Sequence, residues 1–438
     1  MRRRDFLGSG IAAGAGAILL AGQRGGAQAA PPSETLNVAL IGVGAHGRAL
    51  LNAALLIQGG RFRAVCDIWD QCCKFAQYYL KTYKQTVNAY ADYREMLDKE
   101  KDLQAAIVAT PDFVHAEQTI ACLKAGLHVY CETPMAGTLD GARAMARTAR
   151  ETGKLLQIGY QRRSNPRYRH VHEKLLQEAK LLGRLTHADA QWCHRVADPL
   201  GWQKHAELPE DLLRKFGYAS MHELRNWRWF RKLSAGLFPD LGAHQADVAN
   251  WFLRATPRAI IAAGGVDFYK GRECHDNVVA ILEYETPEGV VRALCRVLTT
   301  TSGSGNFETL YGTDGAIRIS EEPKWTKVYR EPHAPDWEDW TRRNYLSRRD
   351  DPATSKPLTS EEAHARETGG LVPYELPVAL NQPLHQPHLE NFFDAIRGKA
   401  RLNCPSEEAF RTEVIAAKVT EAVEARKTLP LAAADYTV

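Results

Sequence analysis

The sequence has few of the features that mark a disulfide-rich, metal-binding or membrane-spanning protein. It has no C-x-x-C pair and no internal repeat, and its N-terminal apolar stretch is too short to cross a bilayer comfortably. The nine cysteines show no metal-ligand spacing and are odd in number. We therefore predict small buried thiols and no metal, and we leave a single disulfide open.

The chain also has little net charge. Its formal charge is +4, and +3 of this lies in the first 29 residues. The remainder is nearly neutral and gives no support for nucleic acid or an anionic membrane as a partner. A length of 438 residues, with 45% hydrophobic and 25% charged residues, is typical of a globular protein with two domains.

The N-terminus has the organisation of an export signal. Arg3-Arg4-Asp5-Phe6-Leu7 matches a twin-arginine motif, an apolar stretch follows from Ile11 to Ala21, and Ala27-Gln28-Ala29 offers a small-residue cleavage site. We predict that the protein is periplasmic or otherwise exported by the twin-arginine route, with no integral membrane span after signal removal. The alternative is a basic N-terminal anchor that stays attached.

A glycine-rich turn follows the first apolar run of the main chain, Leu36–Ile41. The pattern G-x-G-x-x-G (Gly42, Gly44, Gly47) permits a tight turn and a close backbone approach to a pyrophosphate at a helix N-terminus. A second apolar run ends in Asp67, twenty residues after Gly47, where a carboxylate accepts hydrogen bonds from an adenosine ribose. The sequence therefore predicts a dinucleotide site, and Asp67 favours NAD over NADP because it would repel a ribose phosphate.

Strand-length apolar runs alternate with helical segments to about residue 160, which predicts βαβ units and a parallel sheet. Later strand candidates alternate apolar and polar residues, which predicts an antiparallel sheet with one open face. Gly303–Asn306 is predicted to turn between neighbouring strands, and residues 331–367 to form an insertion outside the core. The predicted fold class is α/β: an N-terminal Rossmann dinucleotide-binding domain, then an α/β domain with a large open, mostly antiparallel sheet. The predicted segments are residues 1–29 (signal peptide), 34–160 (NAD-binding domain), 161–330 (substrate and oligomerisation domain), 331–380 (charged insertion or loop) and 381–438 (C-terminal helices).

A second group of polar residues lies near the middle of the chain. Asp240 and His244 are four residues apart, and Asp247 is three further on; on a helix beginning near Leu241, His244 and Asp247 share one face. A histidine beside a carboxylate can act as general base for a hydroxyl group, because its reference pKa lies near neutrality. The alternative is that Asp240 is an N-cap and His244 a hydrogen-bonded core histidine.

Taken together, five motifs resemble the Gfo/Idh/MocA family of glucose–fructose oxidoreductase, inositol dehydrogenase and MocA. The resemblance runs from Leu36 to about Ile319 and resumes from His388. It implies a Rossmann domain, a second domain whose open sheet often forms the interface of a homo-oligomer, and a sugar or cyclitol held between the domains near the nicotinamide. The motifs are Ile41–Gly47, Asp92-Tyr93, Thr110–His115, Ala125–Pro134 and Asp240–Asp247.

The resemblance assigns roles residue by residue. Asp240 and His244 fall on the family's catalytic pair, with His244 as the proton acceptor. Arg162 and Arg163 follow the last Rossmann strand, where loops line a crevice. Trp227 and Trp229 are candidates to stack on a sugar ring, although large aromatic residues are as often found in a core. The predicted cofactor-binding residues are Gly42, Gly44, Ala45, His46, Gly47, Asp67, Thr110, Pro111, His115, Glu132, Thr133 and Pro134, and the predicted substrate-binding residues are Arg162, Arg163, Trp227, Trp229 and Asp247.

One position departs from the family. Glu132 and Pro134 fall on its E-K-P signature, but Thr133 stands where the family has lysine. That lysine places a cation beside the reacting hydroxyl and the nicotinamide, and threonine carries no charge. Arg162, Arg163 and Lys232 are candidates to supply the cation, although exposed surface charge is the commoner role for such residues.

Three functional hypotheses follow. The first is an NAD-dependent oxidoreductase acting on a secondary hydroxyl of a sugar, glycoside or polyol. The second is an NAD-dependent glycoside hydrolase that uses transient C3 oxidation and elimination, resembling glycoside hydrolase family 109. The third, prompted by Thr133, is a cofactor-loaded protein with little turnover. The twin-arginine route resembles one used by proteins that fold around their cofactor before they cross the membrane. NAD would travel with the folded protein, so we expect it to be tightly bound.

Overall fold

A computed structural model of the chain describes residues 35–195, 199–303, 305–348 and 371–438. The predicted signal peptide lies outside the described residues. Across those ranges, no helix is both long enough and apolar enough to pass through a bilayer.

The first domain is a parallel six-stranded sheet in the order β3-β2-β1-β4-β5-β6. The side chains of β4 are all buried, as expected for a strand covered by helices on both faces. The strand order reverses between β1 and β4, which is where doubly wound folds bind their ligands. The strands are β1 Leu36–Ile41, β2 Gly60–Cys66, β3 Asn88–Tyr90, β4 Ala105–Val108, β5 His128–Cys131 and β6 Leu156–Ile158. The helices are α1 Ala45–Ala54, α2 Asp70–Thr82, α3 Tyr93–Lys99, α4 His115–Lys124 and α5 Leu139–Thr152.

The second domain is built on a ten-stranded sheet in the order β14-β15-β13-β12-β11-β7-β10-β9-β8-β16. Every neighbouring pair is antiparallel except β7 and β10, which are parallel. The predicted fold class is therefore confirmed. The strands are β7 Leu185–Cys193, β8 Pro257–Gly265, β9 Asn277–Thr286, β10 Gly289–Leu298, β11 Asn306–Gly312, β12 Gly315–Ile319, β13 Lys327–Arg330, β14 Ser347–Arg348, β15 Val372–Glu375 and β16 Leu429–Pro430.

The remaining helices connect the two sheets or cover one face of the larger one. The first of them, Pro166–His170, is short and continues as a π-helix, Val171–Glu178, and another π-helix, Phe238–Gly242, leads into the helix Ala243–Leu253. The α-helices are α6 Pro166–His170, α7 Glu210–Lys215, α8 Met221–Arg225, α9 Ala243–Leu253, α10 Glu338–Arg342, α11 Gln386–Ile396 and α12 Ser406–Ala425. The 3-10 helices are Asp112–Val114, Gln161–Ser164, Lys204–Ala206, Trp227–Trp229, Pro323–Trp325 and Ala433–Tyr436.

The last two helices return to the first domain and join it to the second. Leu389, Phe392 and Phe393 of α11 pack in one core cluster with β1 and α1. Helix α12 contacts α5 and β6 of the first domain and α9 and β8 of the second. Both domains consequently belong to one compact unit, Glu34–Val438.

Two local predictions are wrong. Gly303–Asn306 does not turn between neighbouring strands, because β7 lies between β10 and β11 and pairs with both. The segment beginning at residue 331 is not wholly outside the core, since Trp337 is 2% exposed and Leu346 is 1% exposed. The charged residues beside Trp337, such as Asp336 and Glu338, are exposed to solvent. Because such residues dominate the composition of the segment, the sequence predicted that it lies outside the core. Residues 349–370 lie outside the described residues.

All nine cysteines are buried and unpaired, as predicted for small apolar residues.

Candidate active site

A cavity of about 1230 Å³ lies between the two domains. It is lined by the glycine-rich turn, Asp67, Thr133, Asp240 and His244, among other residues. Pockets for a single drug-sized ligand measure about 300–1,000 Å³. The cavity therefore has room for a dinucleotide together with a small substrate.

The three glycines of the turn differ in what a side chain would meet. Gly42 has φ +92°, and a Cβ there would lie 2.5 Å from the Ala109 carbonyl oxygen. A Cβ on Gly47 would lie 2.0 Å from the Gly42 oxygen, whereas one on Gly44 would meet open space. Helix α1 begins at Ala45 with no side chain capping it. Its N-terminal amides, beside the open approach at Gly44, fit a bound pyrophosphate.

Asp67 lines the same cavity as the glycine-rich turn. Its carboxylate accepts hydrogen bonds from the amides of Val43 and Trp69, both at 2.8 Å. Burial raises the pKa of Asp67, while these two amides and Arg48 act in the opposite direction. A carboxylate has about four acceptor sites, so two backbone donors leave capacity for ribose hydroxyls. The turn and Asp67 together fit NAD.

Four other predicted cofactor residues, Thr110, Pro111, Glu132 and Thr133, also line the cavity. His115 does not, because its ring is buried between two carbonyl oxygens, 2.7 Å from that of Thr110 and 2.9 Å from that of Pro134. His115 therefore holds two cavity loops together from behind. Gly47 and Pro134 likewise support the wall without lining it.

Glu132 has two histidine neighbours. His46 Nε2 lies 3.1 Å from its carboxylate, and His385, from the segment before α11, approaches the same group. Burial would raise the pKa of Glu132, but His46 and His385 outweigh burial and lower it. In the same way, burial alone would lower the pKa of His46, but Glu132 raises it.

The same three side chains are the candidate metal ligands within the described residues. Their donor atoms lie within 4.8 Å of one another, and two imidazoles with one carboxylate suit Zn²⁺ or Fe²⁺. The prediction of no metal came from sequence spacing, which cannot detect this grouping because His385 lies far from the other two in the chain. That prediction stays a prediction.

His244 also lines the cavity and is largely buried. Its Nε2 is 3.1 Å from Thr133 Oγ1, and its buried Nδ1 has no hydrogen-bond partner among the described residues. Burial, and after it the charge of Arg162, lowers the pKa of His244 to about 3. The ring is therefore neutral at physiological pH and able to accept a proton.

Asp240 lines the cavity but is paired with Arg228 at 2.9 Å, and not with His244. The N-cap alternative for Asp240 is wrong, because Gly242 occupies the N-cap of α9 and Asp240 lies within the preceding π-helix. Arg228 also lines the cavity. It is a cation close to the site that the sequence did not single out.

The predicted substrate residues divide into two groups. Trp227 and Trp229 line the cavity. Arg162, Arg163 and Asp247 lie behind its wall, so their prediction as substrate contacts is corrected.

A buried charged side chain needs a partner of opposite charge, and each of these three side chains has one. Arg163 binds the Asp247 carboxylate through two nitrogens at 2.8–3.0 Å, and the Thr412 hydroxyl donates to the same carboxylate at 3.1 Å. Arg162 is held by Glu308 and Glu321. None of these groups is free to bind a ligand.

Lys232, the third candidate cation, pairs with Glu223 at 2.8 Å. Arg162 still acts on the site, because its charge lowers the pKa of His244. Its guanidinium lies 5.0 Å from the ring centre of Trp192, which is 5.5 Å from that of His244.

Curated relatives match parts of this chain. It is 33% identical over 142 residues to a 4-carboxy-2-hydroxymuconate-6-semialdehyde dehydrogenase of Sphingobium sp., covering 32% of this chain and 43% of that protein. It is 26% identical over 224 residues to a 1,5-anhydro-D-fructose reductase of Ensifer adhaerens, covering 51% and 59%. It is 27% identical over 221 residues to a glycosyl hydrolase family 109 protein of Shewanella sp., covering 48% and 44%. The chain thus spans about half the length of the curated relatives it matches.

The fold matches solved structures over nearly its whole length. The WlbA dehydrogenase of Bordetella pertussis, solved with NADH and UDP-GlcNAcA, superposes with a TM-score of 0.65 at 16% identity, covering 91% of this chain and 99% of that one. A family profile described as the oxidoreductase family with an NAD-binding Rossmann fold matches residues 36–160, and a profile of the GFO/IDH/MocA C-terminal domain matches residues 170–318. With both of its domains matched in order, the chain belongs to the Gfo/Idh/MocA family of NAD-binding oxidoreductases.

Proposed function

We propose that this protein is an NAD-dependent oxidoreductase that acts on a secondary hydroxyl of a sugar, glycoside or polyol. The observation that carries the proposal is the neutral, buried His244, whose Nε2 meets the Thr133 hydroxyl in the same cavity as the glycine-rich turn. The 1,5-anhydro-D-fructose reductase among the relatives supports a sugar-like substrate.

The mechanism needs one proton acceptor and one hydride acceptor. The glycine-rich turn and Asp67 would hold NAD, which would supply the hydride acceptor for the carbon that carries the hydroxyl. The hydroxyl proton passes to Thr133 Oγ1 while the threonine proton passes to His244 Nε2, so the alcohol becomes a ketone and His244 becomes an imidazolium. Arg228, which lines the cavity, offsets negative charge that develops on the substrate oxygen.

A substrate panel tests this proposal. The purified protein is denatured to identify the released nucleotide, and the native protein is assayed on free sugars, polyols and glycosides. NADH or a keto-sugar is the expected product, and His244→Ala should abolish turnover while leaving bound NAD in place. His333→Ala, a change of an exposed histidine away from the cavity, serves as the control. Turnover that survives in His244→Ala would remove the catalytic assignment.

The family 109 relative favours a second candidate, redox-assisted glycoside cleavage. Oxidation at C3 would acidify the neighbouring C–H bond, and elimination would release the aglycone and leave an unsaturated ketone. Water would then add to that ketone, and return of the hydride to C3 would give the free sugar and restore NAD. Release of the aglycone without net NADH would identify this reaction. Bound NAD with neither product would indicate a cofactor-loaded protein with little turnover.

We further propose that the cofactor is NAD rather than NADP and that it stays bound during purification. Asp67 supports the first point, because a ribose 2′-phosphate would lie against its carboxylate. Mass spectrometry of the nucleotide released from freshly purified protein tests both points. NADP in that fraction, or protein purified without nucleotide, would contradict them.

Export by the twin-arginine route is proposed on the Arg3-Arg4 motif. Fusion of residues 1–29 to a reporter that is active only after export tests it. The fusion should be exported, and replacing both arginines with lysine should block export. Export that is unaffected by this change would contradict the proposal.

We also propose a homo-oligomer formed through the open face of the ten-stranded sheet. Ile261, Ile281 and Leu294 lie side by side on β8, β9 and β10, because Ile281 pairs in register with both of the others. Contiguous apolar surface of this kind commonly marks a protein interface.

A further inference from the structure

One segment of the second domain packs against the first domain. Residues 199–236, here called the cover, connect β7 to the π-helix before α9 and include α7 and α8. The cover has a small core of its own, formed by Leu213, Tyr218, Met221 and Leu233. Phe113 and Trp69 of the first domain pack against this core.

The first anchor of the cover is Trp69, two residues after Asp67. Its indole Nε1 donates a hydrogen bond of 2.7 Å to the Ala206 carbonyl oxygen. The Arg225 guanidinium lies 4.9 Å from the centre of the Trp69 ring, in the geometry of a cation–π contact. Arg225 Nε also donates to the Gly201 oxygen at 3.2 Å, which fixes the guanidinium within the cover.

A second anchor lies at the 3-10 helix Asp112–Val114. Phe113 and Tyr218 meet edge to face, with ring centres 5.6 Å apart, and a Cβ on Gly217 would come within 3.3 Å of the Phe113 ring. The Ala235 amide donates to the buried Asp112 carboxylate at 3.0 Å. The cover is therefore attached to the first domain near both of its ends.

Residues of both anchors line the cavity. Ile68 and Trp69 of the first domain and Tyr218 and Arg225 of the cover line the same cavity as Asp67. Asp67 is the position that accepts the adenosine ribose in this fold. The cover consequently lies over the adenosine end of the cavity, and it is attached there by contacts between protein groups alone.

We infer that the cover forms part of the cofactor site, and that Trp69, Tyr218 and Arg225 hold the adenosine end of NAD so that the dinucleotide is retained between turnovers. This inference rests on the proposed function. Release of NAD requires both anchors to open, which is a local unfolding step that slows dissociation. The hydride taken from one substrate is then returned to a carbonyl group, either of the oxidised intermediate or of a second substrate, before the next cycle.

The release rate of NADH tests the inference without measuring turnover. The protein is loaded with NADH and mixed with a large excess of NAD, and the loss of bound-NADH fluorescence is followed with time. Wild-type protein should release NADH over minutes or longer. Arg225→Ala removes the cation–π contact, and Trp69→Phe removes the indole hydrogen bond but keeps an aromatic ring. Each should accelerate release about tenfold, the factor that corresponds to about 1.4 kcal/mol.

Arg214→Ala is the matched control. Arg214 lies on α7 within the cover, is exposed and pairs with Glu210 of the same helix, so its removal changes charge without touching either anchor. It should release NADH at the wild-type rate. Unfolding temperatures of the nucleotide-free variants show whether each protein is folded.

The outcomes separate this inference from the proposed function. If the wild-type protein binds NADH but releases it within milliseconds, or if Arg225→Ala and Trp69→Phe release it no faster than Arg214→Ala, the retention role is overturned and the oxidoreductase proposal stands. If folded wild-type protein binds no NADH at all, both fail. Faster release in both anchor variants, with unchanged release in the control, supports the inference.

Discussion

The His244 ring lies in an environment that opposes its protonation. Burial and Arg162 together lower its pKa to about 3. Because the folded-state pKa lies far below the ordinary value of about 6.5, the ring stays neutral through the physiological range. One ring nitrogen is therefore unprotonated over that whole range, while the low pKa makes the ring a weak base that returns a proton readily.

This lowered pKa can be measured directly. In a heteronuclear NMR titration between pH 5 and 8, the His244 ring resonances are expected to keep the shifts of neutral imidazole. A model peptide that contains one histidine should titrate near 6.5 under the same conditions. Comparison with His244→Gln assigns the signal. A midpoint near 6.5 for His244 would show that neither burial nor Arg162 acts as described.

Thr133 and His244 both line the cavity, and the Thr133 hydroxyl is the proposed proton path to His244. Thr133→Val keeps the volume and removes the hydroxyl 3.1 Å from Nε2, so kcat should fall about 10²–10⁴-fold, the usual contribution of a positioned proton-transfer group. Thr133→Ser keeps the hydroxyl and should retain most activity. NADH binding should be the same in both variants. Equal rates for valine and serine would rule out a proton path through this hydroxyl.

Single residues also show which parts of the site the sequence could and could not predict. The glycines and Asp67 were identifiable because a local backbone pattern determines their chemistry. His385 and Arg228 were not, because only the folded chain brings them to Glu132 and Asp240. Arg163, predicted in a loop beside the crevice, and Asp247, predicted on the helix face of His244, were misassigned for the same reason, because the partner that buries each is remote in sequence.

At the scale of elements, apolar runs predicted the strands of the first domain well, since buried parallel strands are apolar on both faces. The short strands β13 and β15 were missed, because four residues are too few to show an alternating pattern. The position of β7 between β10 and β11 was also missed. A turn motif in the sequence predicts where the chain changes direction. It does not predict which strands pair, because pairing depends on the whole sheet.

Helix α12 joins the domains through a buried carboxyl group. Glu413 accepts a hydrogen bond from the Met135 amide at 3.0 Å and from the Tyr160 hydroxyl at 2.8 Å. Burial raises the pKa of Glu413 to about 7. Between about pH 4.3, the unfolded value, and pH 7, the folded protein holds a proton that the unfolded chain has lost. Stability from this group is therefore present at low pH and declines as pH rises through that window.

Glu413→Gln removes the titration but keeps the acceptor oxygen. The free energy of unfolding of the variant, minus that of the wild type, should increase by roughly 2–4 kcal/mol between pH 5 and pH 8. At pH 8 the variant should therefore be about as stable as the wild type, or more stable. Denaturant titrations at the two pH values measure this difference. Glu424→Gln, an exposed change on the same helix, should show no such trend. A gap between Glu413→Gln and wild type that does not vary with pH would mean that Glu413 ionises normally.

At the scale of the whole molecule, the cavity and the oligomer proposal concern different parts of the chain. The cavity lies between the domains, whereas Ile261 and Leu294 lie on the sheet face that the helices leave open, 51% and 39% exposed. Arg258 and Arg292 pair with Glu283 on the same strands, giving the apolar row a charged border. An apolar centre with a polar rim is the usual composition of a protein interface.

Leu294→Lys tests whether this face joins copies of the chain. Leu294 pairs in register with Ile281, so a lysine there would place an unpaired charge at the centre of the interface, at a cost of several kcal/mol per subunit contact. Wild-type protein is expected to sediment as a homo-oligomer and the variant as a smaller species with unchanged NADH binding. Leu56→Lys is the matched control, since Leu56 is 55% exposed and lies on the first domain, away from the sheet. The open face is not the interface if wild type sediments as a monomer, or if Leu294→Lys and Leu56→Lys both keep the wild-type mass.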